Sequence, residues 1–339
     1  GRAEPACGVP PLCACAHLAA RTEWWYATGW LGAPGAAADM ARPTHGFQVT
    51  FFRSRTGLAQ DNTSRFAARH LLFAHAAVTS LADGQHRHDQ RIARWSGAPG
   101  AVLGSAATTD GDVRLGGWTL RHSGQSWQAQ VPARNFALQL TLARTQPLLL
   151  QGDAGFSRKG PQETQASHYV TEPQLAASGR VGKEQRLAQG RAWMDHEWSD
   201  EILHPDAVGW DWLGMNLADG SALTVFVLRR ADGSAVWAGG SHRSAGGAVR
   251  SFAPEDVRMV AGRRWRSAST GASYPVQWQV QTPAGSHQVR ALLDAQELDS
   301  RQSTGTVYWE GLSELLDERG TRIGLGYLEM TGYTQALRL

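Results

Sequence analysis

Apolar runs in this chain are short, and clusters of Gly, Pro, Asp and Ser interrupt them roughly every ten residues, the spacing of strands and turns rather than of long helices. The 38 glycines and 14 prolines supply most of the breaks. Strand-like segments run from Glu23 to Leu31, Gly46 to Arg53, Leu71 to Ser80, Trp118 to Arg121, Trp127 to Val131, Ala137 to Ala143 and Ala166 to Thr171. A second series covers Gly209 to Leu217, Ala222 to Arg229, Val236 to Gly239, Tyr274 to Val280, Val289 to Leu293, Val307 to Leu312 and Gly326 to Thr334. Asp219-Gly220-Ser221 and Asp232-Gly233-Ser234 mark tight hairpin turns. These patterns predict an all-β protein of meandering antiparallel strands.

A length of 339 residues exceeds what one hydrophobic core usually serves, and 42% apolar residues can fill two. Residues 1–20, rich in Ala, Pro and Cys, read as an irregular arm; 21–185 form a first unit and 186–339 a second, with the polar segment 181–189 as the passage between them. An internal echo supports two copies of one fold. Glu23-Trp24 is followed by the apolar segment Phe47 to Arg53, and Glu197-Trp198 by Leu223 to Arg229, each ending in arginine. If the echo is structural, Glu23 pairs with a buried arginine such as Arg53, and Arg229 repeats this with Glu197.

The charge, 33 basic against 30 acidic residues with no basic block, gives nucleic-acid binding no support. No stretch reaches the roughly 18 apolar residues of a membrane-spanning helix. Cys7, Cys13 and Cys15 crowd into the leader, a pattern of neither a disulfide framework nor a zinc site. Their absence from the rest of the chain is compatible with an oxidising compartment. Leu12-Cys13-Ala14-Cys15 resembles the end of a lipoprotein signal without the charged and apolar segments before it, so a lipid anchor stays open.

Fourteen tryptophans, many beside acids and histidines as in Glu23-Trp24-Trp25-Tyr26, Asp195-His196-Glu197-Trp198 and Trp210-Asp211-Trp212, suit a water-poor cavity. There, aromatic walls hold an apolar ligand and a carboxyl or imidazole acquires an unusual pKa. Strand alternation puts Trp193, Asp195 and Glu197 on one face and Met194, His196 and Trp198 on the other, and it separates Asp211 from Trp210 and Trp212. Candidate catalytic groups are Asp195, His196, Glu197 and Asp211; candidate ligand-binding groups are Trp193, Trp198, Trp210, Trp212 and Tyr169. The competing reading makes Asp195-His196-Glu197 a polar cluster that closes a barrel end, and Glu23 to Tyr26 a packing plug. No metal or cofactor is called for: His-Glu-x-x-His is missing and adjacent strand residues point apart. Ser157 lies outside a Gly-x-Ser-x-Gly elbow, because Lys159 takes the last glycine position. The loop Gly152–Gly160 is expected to bond the backbone or rim the cavity through Asp153, Ser157 and Lys159.

The segments Thr22 to Gly29, Phe47 to Arg53, Gln151 to Gly160, Ala192 to Trp198, Gly209 to Trp212, Tyr308 to Gly311 and Gly326 to Tyr333 together resemble the AttH-like, carotenoid 1,2-hydratase-related family of bacterial secreted proteins. The resemblance implies two tandem lipocalin-like β-barrels, a cavity at or between them, and a periplasmic or secreted location. The family includes hydratases that add water to an isolated alkene of acyclic carotenoids. Fungal relatives guide polyene cyclisation, and many bacterial members are named as predicted secreted hydrolases or companions of ABC transporters. In the hydratase pattern His196 and Trp198 match a histidine-any-tryptophan pair, but the strand Ala222 to Arg229 lacks the acid those enzymes need, so Asp211 or Glu197 would have to serve. Two functions remain: cofactor-independent hydration of an isoprenoid-type alkene by a carboxylic acid, or non-catalytic binding of a lipophilic ligand, as in an ABC-transporter accessory.

Overall fold

A computed structural model describes residues 14–337, which form strands, turns and one 3-10 turn, Pro254–Asp256. The 13-stranded first sheet runs from Gln85–Trp95 through His70–Ser80, His45–Arg55, Thr22–Leu31, Ala188–Glu201, Ala166–Val181 and Ala137–Ala143 to Gly104–Ala106. Its two edges approach each other, so the sheet is nearly closed. The 10-stranded second sheet is centred on Ala222–Arg229, Gly209–Leu217, Arg322–Met330 and Val307–Leu316. The architecture is the expected all-β pair of lipocalin-like antiparallel barrels.

Each barrel interior is filled by side chains of one strand face. Trp25, Phe47, Phe51, Trp118 and Trp127 pack the first, and Leu213, Met215, Tyr274, Trp309 and Leu328 the second. The other faces explain why many strands read as unbroken apolar runs. Tyr26, Trp30, Trp193, Trp212, Phe226 and Tyr327 form a third cluster where the barrels meet, so Val307–Leu316 and Ala222–Arg229 are buried throughout. By contrast Ser126–Pro132 and Ala137–Ala143 alternate between buried and solvent-facing positions. Gln85–Trp95 was invisible to hydrophobic patterning because this edge strand carries His86, Arg87, His88 and Asp89.

Two sequence expectations change. Ala188–Glu201 was assigned to the second unit, but it lies in the first sheet, with Glu23 opposite Trp198 and Thr171 opposite Asp195. Segment 181–189 is thus largely a hairpin connection, and the passage between sheets falls between Glu201 and Gly209. Cys15 is disulfide-bonded, against the expectation of no disulfide; Cys7, Cys13 and most of the proposed arm lie outside the described residues.

The barrels are also joined by polar bonds. At a bulge between Glu172 and Leu175, Gln174 adopts φ 58°. Its Nε2 donates to the carbonyls of Leu217 (2.9 Å) and Ser221 (2.8 Å), while its backbone N–H donates to Asn216 Oδ1 (2.8 Å). Gln174→Ala should cost about 1–3 kcal/mol in urea unfolding, because two side-chain bonds between the barrels, each worth about 0.5–1.5 kcal/mol, are lost while the Leu217 and Ser221 carbonyls keep their backbone donors. Gln174→Gly, which suits the positive φ, should lose about 1 kcal/mol less.

Candidate active site between the barrels

The cavity lies between the barrels, against the outer face of the first, and not inside either one. It measures about 270 Å³ and is lined from the first sheet by Trp24, Tyr26, Phe52, His75, Tyr169 and Asp195, and from the second by Trp210, Trp212, Phe226, Tyr308, Glu310 and Glu329. Two strand faces left over after each barrel is packed therefore supply its walls. Trp24, which could have filled the first barrel, faces the cavity instead, while Trp25 turns inward.

Asp195 is held from both sides. Tyr169 Oη donates to its Oδ2 (2.8 Å) and Thr171 Oγ1 to its Oδ1 (2.6 Å). These donors are themselves fixed, since Trp212 Nε1 donates to Tyr169 Oη (3.0 Å) and Gln151 Nε2 to Thr171 Oγ1 (3.0 Å). Burial pushes the Asp195 carboxyl up to about 7, outweighing the bonds from Thr171 and Tyr169, and the neighbouring Glu197 adds to the rise. Glu197 also lines the cavity, but Ser167 Oγ donates to it and Lys159 Nζ lies 3.1 Å from it. Lys159 sits 4.1 Å from the Phe226 ring centre and is held there by the bond it donates to Ser157 Oγ (3.0 Å). The expected rim role of the Gly152–Gly160 loop thus falls to Lys159.

Four candidates lie elsewhere. His196 projects into the first barrel, stacked on Trp25 and 2.9 Å through Nε2 from Glu23 Oε1. Trp198 stacks on His17 at 3.7 Å and packs against Val170, away from the cavity. Asp211 points into the end of the second barrel, where Arg229 Nε donates to it (3.3 Å) and Tyr333 Oη donates at 2.9 Å. Trp193 packs edge-on against Trp212 without reaching the cavity wall. Strand alternation separates Asp195 and Glu197 from His196 and Trp198, and burial of the first barrel's interior decides which face meets the cavity.

The arginine echo is real in a different form. Glu23 and Arg53 are opposite one another, with Arg53 Nε donating to Glu23 Oε2 (2.9 Å). In the second barrel Arg229 pairs with Asp211 and not with Glu197, which belongs to the first sheet. Around Glu23, one ligand atom each from His17, Glu23 and His196 gathers within 4.8 Å of the others. This geometry could seat a metal, but Arg53 already occupies the second carboxylate oxygen and its charge opposes a cation there.

Sequence reasoning missed Glu310 and Glu329. They sit opposite each other on adjacent strands and both line the cavity. Trp210 Nε1 donates to Glu329 Oε1 (2.5 Å). Burial pushes Glu329 up to about 7 despite that bond; Glu310 rises well above the usual carboxylate range through burial and the proximity of Glu329. The available signal was alternation: Tyr308, Glu310 and Leu312 share one face of Val307–Leu316, so an acid recurs within an otherwise apolar strand.

The sequence profile of the AttH-like family matches residues 11–333. The chain belongs to the AttH-like family. This AttH-like protein is similar to an AttH of Nitrosomonas europaea, NE1406, at 42% identity and TM-score 0.86 over 98% of this chain and 100% of that one. It also shares a fold with kievitone hydratase from Nectria haematococca (14% identity, 92% and 89% coverage, TM-score 0.65) and with CghA (13%, 94% and 90%, TM-score 0.53). Among curated proteins, none matches the AttH-like chain.

Proposed function

We propose that the cavity between the barrels takes a lipophilic small molecule and that Asp195 protonates it, the first step of a cofactor-independent hydration of an isoprenoid-type alkene. The observation that carries this reading is a buried carboxyl held up to about 7 among aromatic walls. Protonating an unactivated alkene requires an acid kept neutral near physiological pH. The tertiary cation that forms could be stabilised by the faces of Trp212, Tyr26 and Phe226, each contributing about 0.5–2 kcal/mol if it lies within reach. Water then adds to the cation and returns a proton to the carboxylate, so the alkene gains the elements of water. Asp195 has its two fixed donors on one lone pair of each oxygen, which leaves a second position for the proton. The fold shared with kievitone hydratase supports the reaction class.

The second reading, binding without chemistry, is favoured for carotenoids by the strand Ala222–Arg229, which offers Phe226 and Leu228 to the cavity and no acid. A location outside the cytoplasm is supported by the disulfide at Cys15. Incubation with acyclic isoprenoid alkenes in ¹⁸O-labelled water separates the two. Enzymatic label incorporation should fall at least about 100-fold in Asp195→Asn. A wild-type protein whose tryptophan fluorescence is quenched by these alkenes, but which never incorporates label, leaves only the binding reading. No quenching at all removes both.

A further inference from the structure

Charge in the cavity is one-sided. Lys159 is paired with Glu197 and Arg53 with Glu23, and His75 is kept neutral by burial. Asp195, Glu310 and Glu329 have no basic partner among the described residues. Directly opposed carboxylates on neighbouring strands repel, and in a buried site they cannot both ionise. A ligand carrying its own carboxylate would add a further negative charge to this wall, in a medium that screens little.

Two polar atoms on the same wall are unmatched. Glu310 Oε1 and Tyr26 Oη are both buried and lie near enough to influence each other's ionisation, yet neither is in hydrogen-bonding geometry with the other or with any further group among the described residues. Both residues line the cavity and come from different barrels. A buried carboxyl oxygen or phenol left without a partner costs about 1–3 kcal/mol, which a ligand group able to donate and accept would recover. A hydroxyl does both; a carbonyl accepts from the phenol or from protonated Glu310.

We propose that Glu310 and Tyr26 form the polar-head subsite of the cavity, selecting a lipophilic molecule with an uncharged hydroxyl or carbonyl head over its carboxylate counterpart. This rests on the reading of the cavity as a lipophilic-ligand site. Glu329 supports the subsite as a positioning residue: anchored by Trp210, it holds its partner carboxyl in the protonated form that a neutral head requires.

The test compares geraniol with geranate, two ten-carbon isoprenoids that differ in the head, by tryptophan-fluorescence titration of the full chain at pH 8. The wild type should bind geraniol at least ten-fold tighter. Because the alcohol is also the less hydrated molecule, the deciding quantity is the change in that ratio. In Glu310→Gln/Glu329→Gln the preference should shrink at least five-fold through tighter geranate binding. Tyr26→Phe should weaken geraniol at least three-fold and leave geranate unchanged. An unchanged ratio in the double variant, or geranate binding as tightly as geraniol to the wild type, overturns the subsite while leaving the lipophilic cavity standing. If neither probe quenches the wild type, the cavity reading itself fails and the subsite with it. Circular dichroism of each variant separates a lost subsite from a lost fold, and Tyr26→Phe, which removes one oxygen only, decides the matter should the double variant not fold.

Discussion

Glu23→Ala is expected to lower the unfolding free energy by about 3–5 kcal/mol, because it leaves Arg53 charged and buried without its counter-ion. The carboxylate accepts from Arg53 Nε (2.9 Å), and His17 Nδ1 and His196 Nε2 each approach its Oε1 at 2.9 Å. Burial alone would raise the Glu23 carboxyl, but the bonds from His17 and His196 and the charges of His196 and Arg53 outweigh it and hold the group well below the usual carboxylate range. A lowered folded-state pKa means that the contribution is present above the unfolded value of 4.5 and drains away as pH falls below it. Urea unfolding at pH 7 and at pH 3 should therefore show the variant's deficit shrinking in acid. Glu23→Leu/Arg53→Met, which removes both charges, should recover much of the loss. A deficit of under about 1 kcal/mol for Glu23→Ala would mean that Arg53 finds other compensation, and the barrel-end ion pair would lose its structural role.

Asp195→Asn should have the opposite pH signature. The wild-type carboxyl is raised from 3.8 to about 7, so the folded chain holds a proton that the unfolded chain releases. Stability from this group is complete below about pH 4 and is lost as pH rises through 7, an effect on the order of 4 kcal/mol. Glu329, also raised to about 7, acts in the same direction. Unfolding midpoints measured from pH 4 to 8.5 should fall less steeply in Asp195→Asn than in the wild type, so the variant gains relative stability at alkaline pH while losing any hydration activity. If the two pH curves are parallel, Asp195 is ionised in the folded protein at neutral pH and the proton donor of the proposed reaction is elsewhere. Opposite slopes from Glu23 and Asp195 give the wild type a stability maximum between acid and neutral pH, and each substitution removes one arm.

Much of the site was legible by local rules. Alternation along Trp193 to Trp198 correctly divided Asp195 and Glu197 from His196 and Trp198, and the arginine pairing of Glu23 followed from an acid and an arginine at matching ends of neighbouring apolar strands. Periodicity could not say which of two buried faces meets a ligand, because the barrel interior and the barrel interface both demand apolar side chains. For that reason His196, Trp198 and Asp211 looked equivalent to Asp195, although they close barrel ends. Glu310 and Glu329 were hidden for a related reason: each is a single acid in an apolar strand, and only the register of Val307–Leu316 against Arg322–Met330 makes them a pair.

The amino-acid order determined the β-class and the aromatic-acid character of the strands, since these follow from turn residues, two-residue periodicity and composition, all local properties. Tertiary structure decided that Ala188–Glu201 completes the first sheet, that the cavity lies between two packed barrels, and which carboxyls are stripped of water there. Those outcomes depend on strand pairing and mutual burial across hundreds of residues, where desolvation, a property of the assembled surroundings and not of any single side chain, sets the chemistry.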